Sequence, residues 1–175
     1  YSEISTIYWV WKNNVRSEKV GFCHDRRKFN QILDVEPGAC QVLSFHKNFN
    51  VFHHYKSSHN YQDYYDAVDI IKEQYGEDSS YIHYMLEGRT FIPYCCFIMH
   101  WEDFDRLCKF LFPILETFDR KNGLNMNPEC YMAKAMRDFR YDNVMYQRRA
   151  ISFLAERLIS CFLVCEMKTY CLHLT

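Results

Sequence analysis

Val20-Gly-Phe-Cys-His-Asp-Arg-Arg-Lys-Phe29 turns abruptly from an apolar run into a knot of ionisable side chains. Val20 to Cys23 is short and apolar and follows a charged turn, the pattern of a buried strand. His24 to Lys28 then places five consecutive polar or ionisable residues at its end. In open α/β sheets, ligands bind beyond the carboxyl ends of the strands. Cations at such a point suit a pyrophosphate, because a guanidinium offers paired donors to phosphate oxygens. Solvated surface charge is the competing reading, but surface runs rarely begin so sharply at the end of a buried strand.

Around this strand the chain is mostly helical. Ile4, Ile7, Tyr8 and Trp11 fall on one face of an opening amphipathic helix. A second extended stretch is expected from Gln41 to Phe45. Tyr64, Val68, Ile71 and Tyr75 mark a helix over Tyr61 to Tyr75, closed by Gly76. Ser79 to Leu86 reads as a shorter helix and Phe91 to Met99 as a strand. Phe104, Leu107, Cys108, Leu111, Leu115 and Phe118 line a long helix that Pro113 should kink or split. Asn122 to Pro128 reads as loop. A last helix over about Tyr146 to Met167 buries Ile151, Leu154, Leu158, Phe162 and Cys165. Helices alternating with short buried strands favour α/β over α+β.

The 175 residues suffice for one domain with a real core, and 14 Tyr, 14 Phe and 3 Trp supply bulky material to fill it. Disorder and low complexity are excluded by that content and by only 5 Gly and 4 Pro. A formal charge of −1 gives no basic field for general nucleic-acid binding. The nine cysteines are odd in number, lie mostly in apolar runs and form no C-x-x-C pair. They read as buried free thiols of a reducing cytosol rather than disulfides or zinc ligands. No apolar run approaches the roughly 20 residues that span a bilayer.

Two further clusters could carry chemistry. His53-His-Tyr-Lys-Ser-Ser-His59, followed by Asp63, brings His54, Lys56 and His59 together as phosphate ligands or a general base. Two histidines and a carboxylate could also hold the metal of a phosphodiesterase, and ordinary helix-start residues are the bland alternative. Tyr146 to Leu158 carries Arg149 and Glu156 two turns apart, with Arg157 beside the buried stripe. A structural ion pair is the common outcome there, and a catalytic carboxylate on a rigid element the sharper one. There is no G-x-G-x-x-G, phosphate loop, G-x-S-x-G or H-E-x-x-H, and no D-x-D follows an apolar strand. Asp34-Val-Glu36 is the nearest approximation to that metal motif.

These segments, in this order, resemble the family called domain of unknown function 4422, associated with capsular and exopolysaccharide glycosyltransferases. Glu3 with Tyr8-Trp-Val-Trp-Lys-Asn13 is similar to its E-x-x-x-x-Y-W-x-W-K-N, and Gly21 to Phe29 to its G-x-x-H-Y-R-R-Y-F. His54-Tyr-Lys-Ser-Ser-His59 with Asp63 resembles its H-Y-K-x-x-H and downstream acid. Phe97-Ile-Met99 with Phe104, Leu111-Phe112 and Ile114-Leu115 resemble its F-I-M and W-L-F-x-I-L stretch. Tyr146 to Leu158 resembles its closing Y-x-x-R and S-E-R-L block. The sequence departs from these patterns at Asp25 and Lys28, which replace tyrosines, at Cys95, which replaces an Asn, and at Ala155, which replaces a Ser.

The resemblance implies a helix-rich, partial GT-A-like nucleotide-sugar transferase fold with a small central sheet. It implies that residues 1–175 are one domain, the C-terminal three-quarters of the family's unit, with its first strand missing. The expected activity is transfer of a sugar from a nucleotide-diphospho-sugar to a saccharide or lipid-linked acceptor, in capsular, exopolysaccharide or lipopolysaccharide assembly. His24, Arg26 and Arg27 would hold the diphosphate, with Lys56, His59 and Arg149 as further phosphate or substrate ligands. Glu156 or Asp63 would take the acceptor proton. Asp25 would partly neutralise the phosphate field or supply a ligand to a divalent Mn or Mg ion. The expected partners are the donor and the acceptor, with no nucleic acid, and the expected place is the cytoplasm, open to peripheral contact with the inner membrane face. The alternative is a catalytically degenerate homologue that binds saccharide or nucleotide as an assembly partner.

Overall fold

The structure, a computed structural model, describes residues 3–137 and 143–172. Strands β1 (Lys19–Phe22), β2 (Ala39–Val42), β5 (Phe97–His100) and β6 (Lys168–Cys171) form a sheet in the order β1-β5-β2-β6. β5 runs antiparallel to both β1 and β2, with Met99 opposite Val20 and Cys40, and β6 is parallel to β2. β2 is wholly buried at the centre. β1, by contrast, is an edge strand and only half-buried, not the buried strand its apolar run suggests. Phe22 packs one face inward, its ring centroid 5.4 Å from Phe97 and 5.5 Å from Phe104. Gly21 faces outward, where a Cβ would stand 3.0 Å from Ile98 Cγ1.

The helices cover this sheet with the stripes their periodicity marks. α1 (Glu3–Lys12) buries Ile4 and Ile7, and Trp11 stacks on Phe112 at 5.4 Å. α3 (Tyr61–Tyr75) starts at the Asn60 cap and stops at Gly76, whose φ of 88° suits glycine. α4 (Ser80–Glu87) is capped by Ser79. α5 (Trp101–Lys121) is one unbroken helix despite Pro113. Pro113 and Lys109, whose carbonyl loses its partner, both lie on the exposed face, where water can satisfy the freed oxygen. α8 (Ala150–Glu166) is buried along Ile151, Leu154, Leu158 and Phe162 and packs against α3, α4 and α5.

Three features depart from the periodicity. α2 (Val51–Ser58) forms from a polar stretch with only Val51 and Tyr55 buried, started by Asn50 Oδ1 accepting from His53 N–H at 2.7 Å. α6 (Pro128–Met136) and α7 (Val144–Gln147) are short helices capped by Asn127 and Asn143, and α7 is separate from α8. The single strand expected over Phe91 to Met99 is split. β4 (Thr90–Phe91) pairs with β3 (His46–Lys47), and β5 begins only at Phe97. Between them Tyr94 and Cys95 take φ of 75° and 52°, a left-handed turn that no strand can contain.

All nine cysteines are free. Their burial is less uniform than the apolar runs suggest, since Cys23 is exposed and Cys95 and Cys165 are half-buried. Burial pushes the Cys40 thiol up to about 12, helped by nearby Asp103. No helix among the described residues is long and apolar enough to cross a membrane. The architecture is a helix-rich α/β fold on a small mixed sheet.

Candidate functional site

α8 holds the left-handed turn in place through two side chains one helical turn apart. Ser160 Oγ, fully buried, accepts from Ile92 N–H at 2.8 Å and lies 2.6 Å from Tyr84 Oη, which donates to the Thr90 carbonyl at 2.9 Å. Glu156 Oε1 accepts from Tyr94 N–H at 2.8 Å. The strained Tyr94–Cys95 backbone is thus fixed from a rigid element, as backbone at ligand sites often is. The turn, α2 and α8 enclose an open cleft of about 300 Å³, with Tyr94, His54, His59, Phe153, Glu156 and Arg157 on its walls.

The floor of the cleft is one guanidinium. Arg157 is 2% exposed, donating from Nη1 to Glu156 Oε2 and lying with Nη2 2.9 Å from His54 Nδ1. Its plane is flanked by Phe91, 4.9 Å from the ring centroid. The Arg157 Nε is buried with no hydrogen-bond partner among the described residues. Glu156 keeps a side-chain exposure of 25%, so the carboxylate is gripped from behind and open to the cleft in front.

The cationic loop after β1 reaches this cleft through Tyr94. Arg27 lies with its guanidinium carbon 3.7 Å from the centre of the Tyr94 ring, the geometry of a cation–π stack. His24 N–H points at Cys96 Sγ at 3.2 Å, and that thiol donates to the Tyr94 carbonyl at 3.3 Å. Arg27 therefore presents its charge beside the same residue whose backbone Glu156 holds. Arg26 is 78% exposed at its side chain, and Lys28 is exposed. His24 is turned inward instead: Nε2 is 3.2 Å from Glu3 Oε1 of α1, and Nδ1 faces Asp25. Its geometry fits tying the loop to α1 better than reaching for a ligand.

The second cluster is divided by the fold. His59 closes α2 and stacks on Phe153 with centroids 3.7 Å apart, its Nδ1 3.4 Å from Gln147 Oε1. Burial, with the charge of Arg157, drives its pKa down to about 3, so it lines the cleft as a neutral ring and not as a phosphate-binding cation. Asp63 is buried outside the cleft and paired with Lys134 of α6, so it joins α6 to α3 and is not brought to Glu156. Lys56 is exposed with Nζ 5.8 Å from the Tyr61 ring centre. Arg149 caps α8 at the rim, 5.9 Å from the ring centres of Tyr146 and Phe153.

The described residues do not gather into a metal site. Asp25 faces His24 and lies 3.7 Å from Arg26 Nε, and no three His, Cys, Asp or Glu side chains converge among the described residues. The histidines and Asp63 of the phosphodiesterase reading are likewise apart in role, one stacked and one salt-bridged. Of the departures from the family pattern, Ala155 is wholly buried, where a serine would need a partner. Cys95 sits near both Glu156 and Glu3, and burial holds its thiol well above the ordinary value.

Sequence reasoning singled out Glu156 and Arg27 but missed Tyr94, Ser160 and the role of Arg157. Pro93 inside an apparent strand is the one available signal for the turn.

The fold has a solved counterpart. An apo structure of WbbM, a bifunctional glycosyltransferase, matches with a TM-score of 0.70 at 19% identity, over 97% of this chain and 35% of that one. The chain thus spans about a third of the length of that protein. No curated protein sequence matches it. The family model described as domain of unknown function (DUF4422) matches residues 1–44 and 40–167. The chain belongs to the domain of unknown function 4422 family.

Proposed function

We propose that the protein is a glycosyltransferase that moves a sugar from a nucleotide-diphospho-sugar to a saccharide or lipid-linked acceptor. The observation that carries this reading is Tyr94, which joins an exposed guanidinium loop to a cleft carboxylate through one residue. Arg26 and Arg27 take the diphosphate and offset the charge that develops as the glycosidic C1–O bond breaks. The acceptor oxygen forms the new bond to C1, its proton passes to Glu156, and the nucleoside diphosphate leaves with the electron pair. The charge distribution supports this division, because His59 is neutral and Arg157 is offset by Glu156. The cleft therefore suits an uncharged saccharide and the loop suits an anion. Likeness in fold to a glycosyltransferase and family membership support the same class. Capsular, exopolysaccharide or lipopolysaccharide assembly at the cytoplasmic face of a membrane is the setting we infer for it. Residues 1–175 act in it as one domain of the larger transferase unit that the family resemblance implies.

The deciding experiment expresses the complete reading frame and incubates it with a panel of nucleotide-sugars, with and without manganese. Nucleoside diphosphate release that Arg26→Ala and Arg27→Ala abolish is the expected result. Asp25 beside Arg26 and His24 favours a second reading, a homologue whose phosphate field is too weak for turnover. Tight nucleotide binding without release is its signature.

A further inference from the structure

A neutral imidazole has one nitrogen that donates and one that accepts. At His54 the choice is made by its neighbour, because Arg157 carries only donors and points Nη2 at His54 Nδ1 from 2.9 Å. Nδ1 must then be the acceptor and Nε2 must carry the proton. Nε2 has no hydrogen-bond partner among the described residues, and His54 lines the cleft. We propose that Arg157 fixes His54 as the Nε2–H tautomer, and that His54 donates this hydrogen bond to an oxygen of the saccharide in the cleft. The ligand class rests on the transferase reading, whereas the tautomer does not.

The surroundings agree. The ring packs on Phe49, with centroids 4.8 Å apart, so its orientation is held from the side as well as from Arg157. The charged and titratable groups around it are Arg157, Glu156, His46 and His59. Burial and the Arg157 charge hold its pKa below the ordinary value, which keeps the ring neutral at physiological pH. His54 cannot then be the general base, since its only lone pair is engaged by Arg157. Glu156 and His54 both accept from the terminal nitrogens of one guanidinium, and toward the cleft Glu156 offers an acceptor and His54 a donor, a complementary pair for hydroxyl groups. Arg157 acts here as a positioning residue.

Histidine side-chain ¹H–¹⁵N correlation spectra at neutral pH test the tautomer, with His54→Gln identifying the resonances. A single Nε2–H species is expected. An Nδ1–H tautomer or an imidazolium would overturn the proposal. In Arg157→Met, verified as folded by its thermal transition, no donor from this position faces Nδ1, and His54 should relax to a tautomer mixture. An unchanged tautomer there refutes the role of Arg157. Titration with methyl galactoside tests the donor. His54→Gln, which keeps an N–H near the same place, should retain affinity within a few-fold, and His54→Leu should lose about tenfold. Equal affinity in His54→Leu, or no binding by the wild type, removes the saccharide contact. Nucleoside diphosphate binding in the same samples reports separately on the loop, so failure of the transferase reading is recognised by itself.

Discussion

Replacing Glu156 with Gln should separate stability from turnover. The amide oxygen of Gln still accepts from Tyr94 N–H, the bond that is 2.8 Å long in the wild type. The left-handed turn at Tyr94, with φ of 75°, therefore keeps its tether. The other terminal group of the amide is then an NH2 that meets Arg157 Nη1 donor to donor, so the pairing with Arg157 is lost. Hydrogen bonds to charged groups contribute about 1.5–3 kcal/mol, and removing one partner of a fully buried ion pair costs about 3–5. Arg157 is 2% exposed and loses its carboxylate, while the 25% exposure of the Glu156 side chain lets solvent screen part of the loss, so the net cost should be about 2–3 kcal/mol. Turnover should suffer far more, because Gln cannot receive a proton. A positioned general base contributes about 10²–10⁴ in rate. Urea unfolding and nucleoside diphosphate release in the presence of acceptor measure the two sides. A Gln variant with kcat/KM within tenfold of the wild type would refute the base assignment. A stability loss beyond about 5 kcal/mol would show that Glu156 is held for the fold instead.

Arg27→Leu keeps an apolar stem against Tyr94 and should weaken nucleoside diphosphate affinity about tenfold to a hundredfold in calorimetric titrations, with an unchanged thermal midpoint. Asp63→Asn leaves Lys134 facing a neutral group and should cost about 2–3 kcal/mol in urea unfolding, with kcat per folded molecule unaltered. Because the folded pKa of His59 is depressed to about 3 from 6.5, its contribution is complete above pH 6.5 and is lost as the pH falls from there towards 3. The unfolded state binds the extra proton in that window, so stability should drop by about 1.4 kcal/mol per pH unit from this residue alone, a slope that His59→Gln removes in unfolding series at pH 7.5, 5.5 and 4.5. Ser160→Ala orphans the Ile92 N–H and should cost about 2 kcal/mol by chemical denaturation.

Much of the frame was legible because it is built from long, regular stripes. α1, α3, α5 and α8 each bury residues at helical spacing that form the core, although Tyr8 and Tyr75, on the same marked faces, are each 39% exposed. α2 was not legible as a helix, since Val51 and Tyr55 alone mark its buried side within a polar run. The turn at Tyr94 was hidden for a different reason. Local composition from Phe91 to Met99 favours a strand, and the left-handed backbone depends on Ile92 and Tyr94 bonds to Ser160 and Glu156, over sixty residues away. The same distance effect separates the acids. Asp63 and Glu156 are equally plausible on paper, and only the pairing of Asp63 with Lys134, 71 residues later, removes one from the cleft.

The placement of charge then orients a substrate in the proposed reaction. A histidine-rich cleft looks cationic in sequence, yet burial strips the charge from His59 and lowers the pKa of His54, while Glu156 offsets Arg157. The more accessible guanidiniums lie on the other side of Tyr94, at Arg27 and at the exposed Arg26, which Asp25 flanks at 3.7 Å. A molecule with an anionic end and a neutral sugar end has one favourable way to lie across that ring, diphosphate over the loop and hydroxyls in the cleft. Reversing it would set phosphate against Glu156 in a cleft whose histidines are neutral, and leave the guanidinium pair facing uncharged sugar. The two ends of the substrate are thus sorted by desolvation as much as by the number of basic residues.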